Sequence, residues 1–243
     1  PIYVRFEFNK DILFHHTLCF IHSLSKLKPT KTFLFATIVT SLPELEKIVV
    51  KNCNDWEGIV SLDSEEARQH RNLTASSEEV CFPKLKKIEI EKCNELKAIF
   101  LTNIVTSPPK LEELTVKDCH ELEEIIFLDS QEARQLRELY APSQQICFPV
   151  LWSIEIERCN KLKKIFPATV ITSLPALKYV VLRDCNEFEE IISSDSKEER
   201  QQRNLYAPFQ QVCFPVLRTI DIKSCNKLKT LFSATVVTRL PNL

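Results

Sequence analysis

The sequence repeats itself at one fixed offset, the separation of Cys53 from Cys119, and this period restricts the chain to folds in which one structural unit stacks on the next. Nine of the ten cysteines follow the period, whereas isolated matches would not recur in phase. They form three sets: Cys53, Cys119 and Cys185; Cys93, Cys159 and Cys225; Cys81, Cys147 and Cys213. The chain is therefore built from repeats, and its fold follows from what one repeat can do.

Each period contains a short unit, such as 82–107, and a long unit, such as 108–147, in alternation. Both share the frame Leu85-x-x-Ile88-x-Ile90-x-x-Cys93, which continues as x-x-Leu-x-x-Ile. Because Ile88 and Ile90 are two positions apart, both point to one side of a short strand, and the charged residues between them point to the other side. Each unit thus has one hydrophobic side that it cannot bury alone.

Stacking of the units in parallel would bury these sides in one continuous core. The frame resembles the leucine-rich repeat pattern, with Cys where many versions carry Asn. We therefore predict an α/β solenoid, a leucine-rich repeat horseshoe with a parallel inner sheet of about six or seven short strands and an irregular or helical outer side. Six strands are predicted around the central residues Val50, Ile90, Val116, Ile156, Leu182 and Ile222.

The N-terminal region fits the repeat less well. The segment 19–28 aligns with 220–229 if Pro29-Thr30-Lys31 is an insertion, which predicts a degenerate seventh unit. Pro1–Asn9 alternates apolar and polar residues, as strands do, but its place in the fold stays open. We predict a single domain with a divergent repeat remnant at 1–33 and a solenoid at 34–243, and we expect the chain to be a fragment of a longer protein.

The long units exceed the short ones by an insertion that follows the last core position. Within the insertions, Asp63, Asp129 and Asp195 each precede a Glu at the spacing of a helix capping box. We expect short helices or ordered loops here, recurring along one flank of the solenoid.

Composition and charge exclude several functions. The chain has 32 Lys and Arg against 33 Asp and Glu, without the basic excess of a nucleic-acid binder. No apolar run is long enough to span a membrane and no secretion signal is visible, so we expect a cytoplasmic location. Gly58 is the only glycine, which rules out a glycine-rich phosphate loop. We predict that the chain is not an enzyme and binds no cofactor.

Two groups of cysteine and histidine invite a chemical interpretation. The six cysteines in the frame are predicted to be buried, free, structural thiols. A second group, His15, His16, Cys19 and His22, has ligand types suited to zinc, but Cys19 and His22 would point to opposite sides of a seventh strand, and no Cys-x-x-Cys pair accompanies them. We predict no metal site.

The outward side of the predicted strands is the candidate partner-binding face. Its third outward position alternates in charge sign along most of the stack, so one interpretation is that the charges only keep the sheet soluble and in register. The other is that they contact a partner, together with residues such as Tyr179 that depart from the repeat. The candidates are Lys47, Val49, Lys51, Glu89, Glu91, Lys117, Glu155, Glu157, Tyr179, Val181, Arg183, Asp221 and Lys223.

Three motifs together resemble the C-terminal leucine-rich repeats of plant coiled-coil NB-ARC disease-resistance proteins, over about Leu34 to Leu243. They are the Phe-Pro-x-Leu-x-x-Ile-x-Ile-x-x-Cys-Asn opening at Phe82, the Val-Thr-Ser-Leu-Pro linker at Val39–Pro43 and the Asp-Ser-x-Glu insertions. The resemblance implies recognition of a pathogen effector or a guarded host protein, and restraint of a nucleotide-binding module. The alternative function is a substrate adaptor or scaffold, for example of the F-box type, with the same fold.

Overall fold

The computed structural model describes residues 3–8, 32–35, 44–54, 56–61, 82–101, 108–127, 148–167, 174–193 and 214–232. These residues form strands and turns, with no helix among them, in two sheets. The first sheet contains, in spatial order, β1 Tyr3–Phe8, β3 Leu45–Lys51, β5 Lys87–Glu91, β7 Glu113–Lys117, β9 Ser153–Glu157, β11 Tyr179–Arg183 and β13 Thr219–Lys223. The second contains β12 Glu190–Ser193, β10 Lys164–Pro167, β8 Glu124–Phe127, β6 Ala98–Leu101, β4 Gly58–Ser61 and β2 Thr32–Phe35.

The register of the first sheet confirms the predicted repeat frame. β3, β5, β7, β9, β11 and β13 pair in parallel, and Val50 lies opposite Ile90, which lies opposite Val116. The register continues from Val116 through Ile156 to Leu182 and then the last strand. The structure is a leucine-rich repeat solenoid, in which each unit buries its apolar side by stacking on the units next to it.

The first strand shows where Tyr3–Phe8, the described part of the N-terminal segment, lies. β1 lies at the edge of the first sheet and pairs with β3 in the antiparallel direction. One side of β3 pairs with β5, so β1 takes the side on which a parallel seventh strand was expected. The segment 19–28, which was predicted to form that strand, lies outside the described residues. β2 nevertheless pairs in parallel with β4, Thr32 opposite Gly58, at the register of the later units.

The second sheet was not predicted, since the outer side was expected to be irregular or helical. Five of its strands, β4, β6, β8, β10 and β12, each follow the turn after a first-sheet strand, and they include β-branched and aromatic pairs such as Ile125-Ile126 and Ile165-Phe166. Such residues favour extended backbone on a half-buried surface. The insertions that begin near Asp63, Asp129 and Asp195, with their predicted helices, lie outside the described residues.

One apolar cluster connects the two sheets. It contains the inward residues of the first sheet, such as Ile88 and Ile90, and those of the second, such as Ile99. Phenylalanine rings contact one another within it: the ring centroid of Phe148 is 6.2 Å from that of Phe100 in the preceding short unit and 5.8 Å from that of Phe166 in its own unit. The core is therefore continuous along the stack rather than divided between units.

Each first-sheet strand from β3 onward is followed by a residue in the left-handed backbone region. These residues have φ between 53° and 57° although none is glycine. The backbone N–H of Asn52 donates to the carbonyl of Glu91 at 2.9 Å, and that of Lys92 donates to the carbonyl of Lys117 at 2.9 Å. The turn thus continues the inter-strand hydrogen bonding for one residue beyond the strand. The set is Asn52, Lys92, Asp118, Arg158, Asp184 and Ser224.

Candidate partner-binding face

The structure places the candidate residues on one side of the first sheet, opposite the core. We call this side the partner face: it consists of the outward positions of β3, β5, β7, β9, β11 and β13. The outward residues of each strand lie beside those of the next, so that they form three columns across the sheet. The predicted candidates are therefore brought together on one surface, where each contacts residues of the neighbouring strands.

The third column, which starts at Lys51 and ends at Lys223, forms the predicted ion pairs across strands. Lys51 Nζ lies 2.6 Å from a carboxylate oxygen of Glu91. Farther along, Glu157 contacts Lys117 at 3.5 Å on one side and Arg183 at 3.2 Å on the other. The charges of this column largely neutralise one another, as alternation of sign predicted.

Diagonal ion pairs join the columns. They were not predicted from the sequence, which indicated pairs only within one column. Lys117 Nζ lies 2.6 Å from Glu155, closer than it lies to Glu157 in its own column. Lys47 reaches Glu89 at 3.4 Å, and Asp221 accepts a hydrogen bond from Arg183 at 2.9 Å. Long side chains span this diagonal distance in a sheet, so the charged part of the partner face is a network rather than separate ladders.

These contacts shift the pKa values of the participating groups. The hydrogen bond from Lys51 lowers the pKa of Glu91, and the hydrogen bond from Arg158 lowers that of Asp118. For Asp221, the hydrogen bond from Arg183 lowers the pKa. The hydrogen bond to Glu155 likewise raises the pKa of Lys117. Both signs of shift show that the network favours the charged forms of its members.

Acidification is therefore expected to destabilise the stack. A carboxylate whose pKa is lower in the folded than in the unfolded chain stabilises the fold above its ordinary pKa of 4.5 (Glu) or 3.8 (Asp). That contribution is lost as the pH falls through the lowered value. We expect the urea midpoint to stay constant from pH 7 to about 5.5 and to fall below about 4.5. Urea titrations followed by circular dichroism at each pH measure this.

A pair of variants isolates the effect of one group. Glu91→Gln removes a carboxylate with a lowered pKa, so the difference in midpoint between pH 7 and about pH 3.5 should shrink. Glu95→Gln is the control, because Glu95 forms no ion pair with any described residue. If both variants kept the full acid dependence of the parent, the ion pairs of the partner face would not be its source.

Val49, one of the predicted partner-binding candidates, is not accessible on the partner face. Its position in β3 is outward by register, but its side chain is only 4% exposed. A partner therefore cannot contact it in this structure, and β1, paired along β3 with Arg5 opposite Val49, lies beside it. Val181, the corresponding residue of β11, is half-buried and remains accessible.

An aromatic pair on the same side includes a residue that the sequence analysis missed. The rings of Trp152 and Tyr179 meet edge to face, with centroids 5.9 Å apart and an angle of 83° between their planes. Both side chains are half-buried. Trp152 immediately precedes β9, at a frame position occupied elsewhere by charged residues such as Lys86 and Glu112. This departure from the repeat could have identified Trp152 from the sequence. It lies one residue before the strand, however, and the candidates were chosen among strand positions.

The cysteine column lies in the turns, on the core side. In each described unit from Cys93 onward the thiol donates to the backbone carbonyl two residues earlier; for Cys185 the acceptor is Arg183, at 3.4 Å. Burial raises the pKa of Cys185 to about 12, and the pKa of Cys119 is raised mainly by its contact with Cys159. The six described cysteines are free thiols. Such thiols are protonated at neutral pH, so packing and hydrogen bonding account for them.

The described residues form neither a metal site nor a membrane-spanning helix. In the part of the chain that the structure describes, no three His, Cys, Asp or Glu side chains are placed to hold a metal ion. The His15, His16, Cys19 and His22 group lies outside that part. Across the described ranges no helix is long and apolar enough to cross a membrane.

Comparison with known families identifies the repeats. A sequence model described as plant disease resistance protein RPS2-like, leucine-rich repeats, matches residues 70–142 and again 139–186. The segment 70–186 is similar to the leucine-rich repeats of plant disease resistance proteins. The matched segment includes β5 to β11 and so most of the partner face, and it makes up somewhat less than half of the chain. No curated protein sequence and no solved structure matches the chain significantly.

Proposed function

We propose that this chain is the recognition module of an intracellular plant immune receptor. In this role it binds a pathogen effector or a guarded host protein, and it restrains a nucleotide-binding module until that binding occurs. The observation that carries the proposal is the match of residues 70–186 to the repeats of plant disease resistance proteins. Leucine-rich repeats act in general by presenting an extended surface to another protein.

The geometry supports binding rather than catalysis. The partner face is a regular sheet surface whose described charged residues mostly pair with one another. The described thiols lie in the core or in turns, and the pKa values of the Cys185 and Cys119 thiols are raised. Tyr179 and Val181 add accessible apolar and aromatic surface to the face, which protein interfaces use as anchors.

Chemical cross-linking in plant cells tests the proposal. The tagged chain is expressed in leaf cells and treated with a lysine-reactive cross-linker. We expect links from partner-face lysines such as Lys51 and Lys117 to a nucleotide-binding module of the resistance type, to a host protein or to a co-expressed effector. Tyr179→Ala should weaken this association about tenfold, the effect of losing a typical aromatic anchor.

The control is a variant in the turns that follow the first-sheet strands. We call these turns the flank of the stack, and they lie away from the partner face. Lys227 pairs with Glu187 in the turns, so Lys227→Ala should leave the association unchanged. Links only to subunits of a ubiquitin ligase would replace the proposal with the substrate-adaptor function. Links confined to flank lysines, with no effect of Tyr179→Ala, would refute the role of the partner face.

A further inference from the structure

The aromatic pair lies at the edge of the partner face where each first-sheet strand begins. Trp152 precedes β9, and Tyr179 is the first residue of β11, the next strand in the sheet. The backbone N–H groups of Lys178 and Tyr179 both donate to the carbonyl of Trp152, at 2.9 Å and 3.1 Å. The two rings are thus held by the sheet itself, in a fixed edge-to-face arrangement and half-exposed to solvent.

The residues that share the frame position of Trp152 form a rim column along this edge. In its N-terminal half the charges pair: Lys86 Nζ lies 3.0 Å from Glu46. Its C-terminal half differs, because Lys178 and Arg218 are neighbours of the same sign, with Arg218 N–H bonded to the Lys178 carbonyl at 3.0 Å. Neither side chain forms an ion pair with a described residue. The rim column is Glu46, Lys86, Glu112, Trp152, Lys178 and Arg218.

Further apolar residues with solvent exposure lie close in sequence to the two aromatic residues. Val150, which lies shortly before Trp152, is 39% exposed, and this is unusual for a large apolar residue in the described part of this protein. Val181 follows Tyr179 on the partner face and is half-buried. The aromatic pair therefore lies next in the sheet to Lys178 and Arg218, two cations that have no ion-pair partner among the described residues.

We infer that this patch, formed by Val150, Trp152, Tyr179, Lys178 and Arg218, binds an acidic segment of a partner protein that carries one large apolar side chain. Rigid aromatic rings provide an anchor for the apolar side chain at low entropic cost. Lys178 and Arg218, two adjacent cations without an ion-pair partner in the described part of the chain, complement carboxylates on the bound segment. The inference rests on the proposed recognition function and specifies the chemistry of its partner.

Nucleic acid fits the same patch less well. In the rim column the acidic Glu112 lies next to Trp152. On the partner face, Glu155 and Glu157 belong to β9, the strand that Trp152 precedes. A phosphate backbone would have to pass these carboxylates, and the whole chain has a net charge of −1. A short acidic peptide can place its carboxylates on Lys178 and Arg218 alone.

Selection from a displayed library of random dodecapeptides tests the inference directly. We expect the enriched peptides to have several Asp or Glu residues and one Leu, Ile, Phe or Trp. Trp56→Phe leaves Trp152 as the only tryptophan of the protein, so its fluorescence reports binding at this patch of those synthesised peptides that contain no tryptophan. The double variant Lys178→Glu and Arg218→Glu should weaken that binding at least about tenfold, and the effect should diminish at high salt.

Matched variants separate this patch from other charge on the surface. Lys161→Glu and Lys227→Glu make the same net charge change on the flank, and they should leave peptide affinity unchanged. Enrichment of neutral or basic peptides, failure to enrich any peptide, or equal affinity for the Lys178→Glu and Arg218→Glu variant would overturn the inference. Binding of a short oligouridylate that this variant abolishes would overturn it in favour of RNA.

The outcome is distinguishable from failure of the proposed function. If cross-links to a nucleotide-binding module or an effector persist in the Lys178→Glu and Arg218→Glu variant, the chain is still a recognition module. If, in addition, no acidic peptide binds at the patch, the acidic-segment inference alone is wrong.

Discussion

Leu162→Ala is expected to lower the free energy of unfolding by about 2–5 kcal/mol. The side chain is fully buried, and the residues at the same frame position in the neighbouring units, Leu122 and Phe188, are buried with it. Truncation therefore leaves a cavity between stacked units, which the sheets on both sides hold open. Urea unfolding followed by far-ultraviolet circular dichroism measures the change.

The same substitution one full period later is the matched control. Leu228 has the identical frame position in the next short unit, but it is 37% exposed. No strand lies beyond β13 in the described first sheet, so Leu228 has a neighbour on one side only. Leu228→Ala should cost less than about 1 kcal/mol. Equal losses for the two variants would mean that burial between units does not govern stability.

Glu157→Lys is expected to destabilise the stack by about 2 kcal/mol. The Glu157 side chain is only 12% exposed and lies between three cations, with Lys117 at 3.5 Å, Arg158 at 3.5 Å and Arg183 at 3.2 Å. Reversal of its charge would place four cations together at the centre of the partner face. Their repulsion is only partly screened because the carboxylate position is nearly buried. The measurement is the urea midpoint at low ionic strength.

Two further variants distinguish this centre from an ordinary surface charge. Glu157→Gln keeps the size and should cost less than reversal, because it removes attraction without adding repulsion. Glu121→Lys reverses a carboxylate on the flank that pairs with one lysine, and it should change the midpoint far less. Added salt should restore part of the stability of Glu157→Lys. A loss equal to that of Glu121→Lys would show that the network has no special centre.

The candidate face could be predicted only in part, for a geometrical reason. The alternation of β-strand side chains determines which residues point outward, so the columns of Lys51 and Tyr179 follow from the repeat frame. Diagonal contacts, such as Lys117 with Glu155, depend on side-chain reach and on the stagger of neighbouring strands. The contact of Trp152 with Tyr179 joins a strand to the residue before its neighbour, and a comparison of strand positions alone does not include it.

The sequence by itself determined the repeat and the parallel first sheet. A fixed period with apolar residues at alternate positions leaves each unit one side to bury, and stacking in register is the arrangement that buries it. Only the tertiary structure decided the second sheet and the place of β1. The short apolar runs of the second sheet have no distinctive period, and β1 matches no repeat. The burial of Val49 was equally undecided, since pointing outward from a strand does not determine what lies next to it.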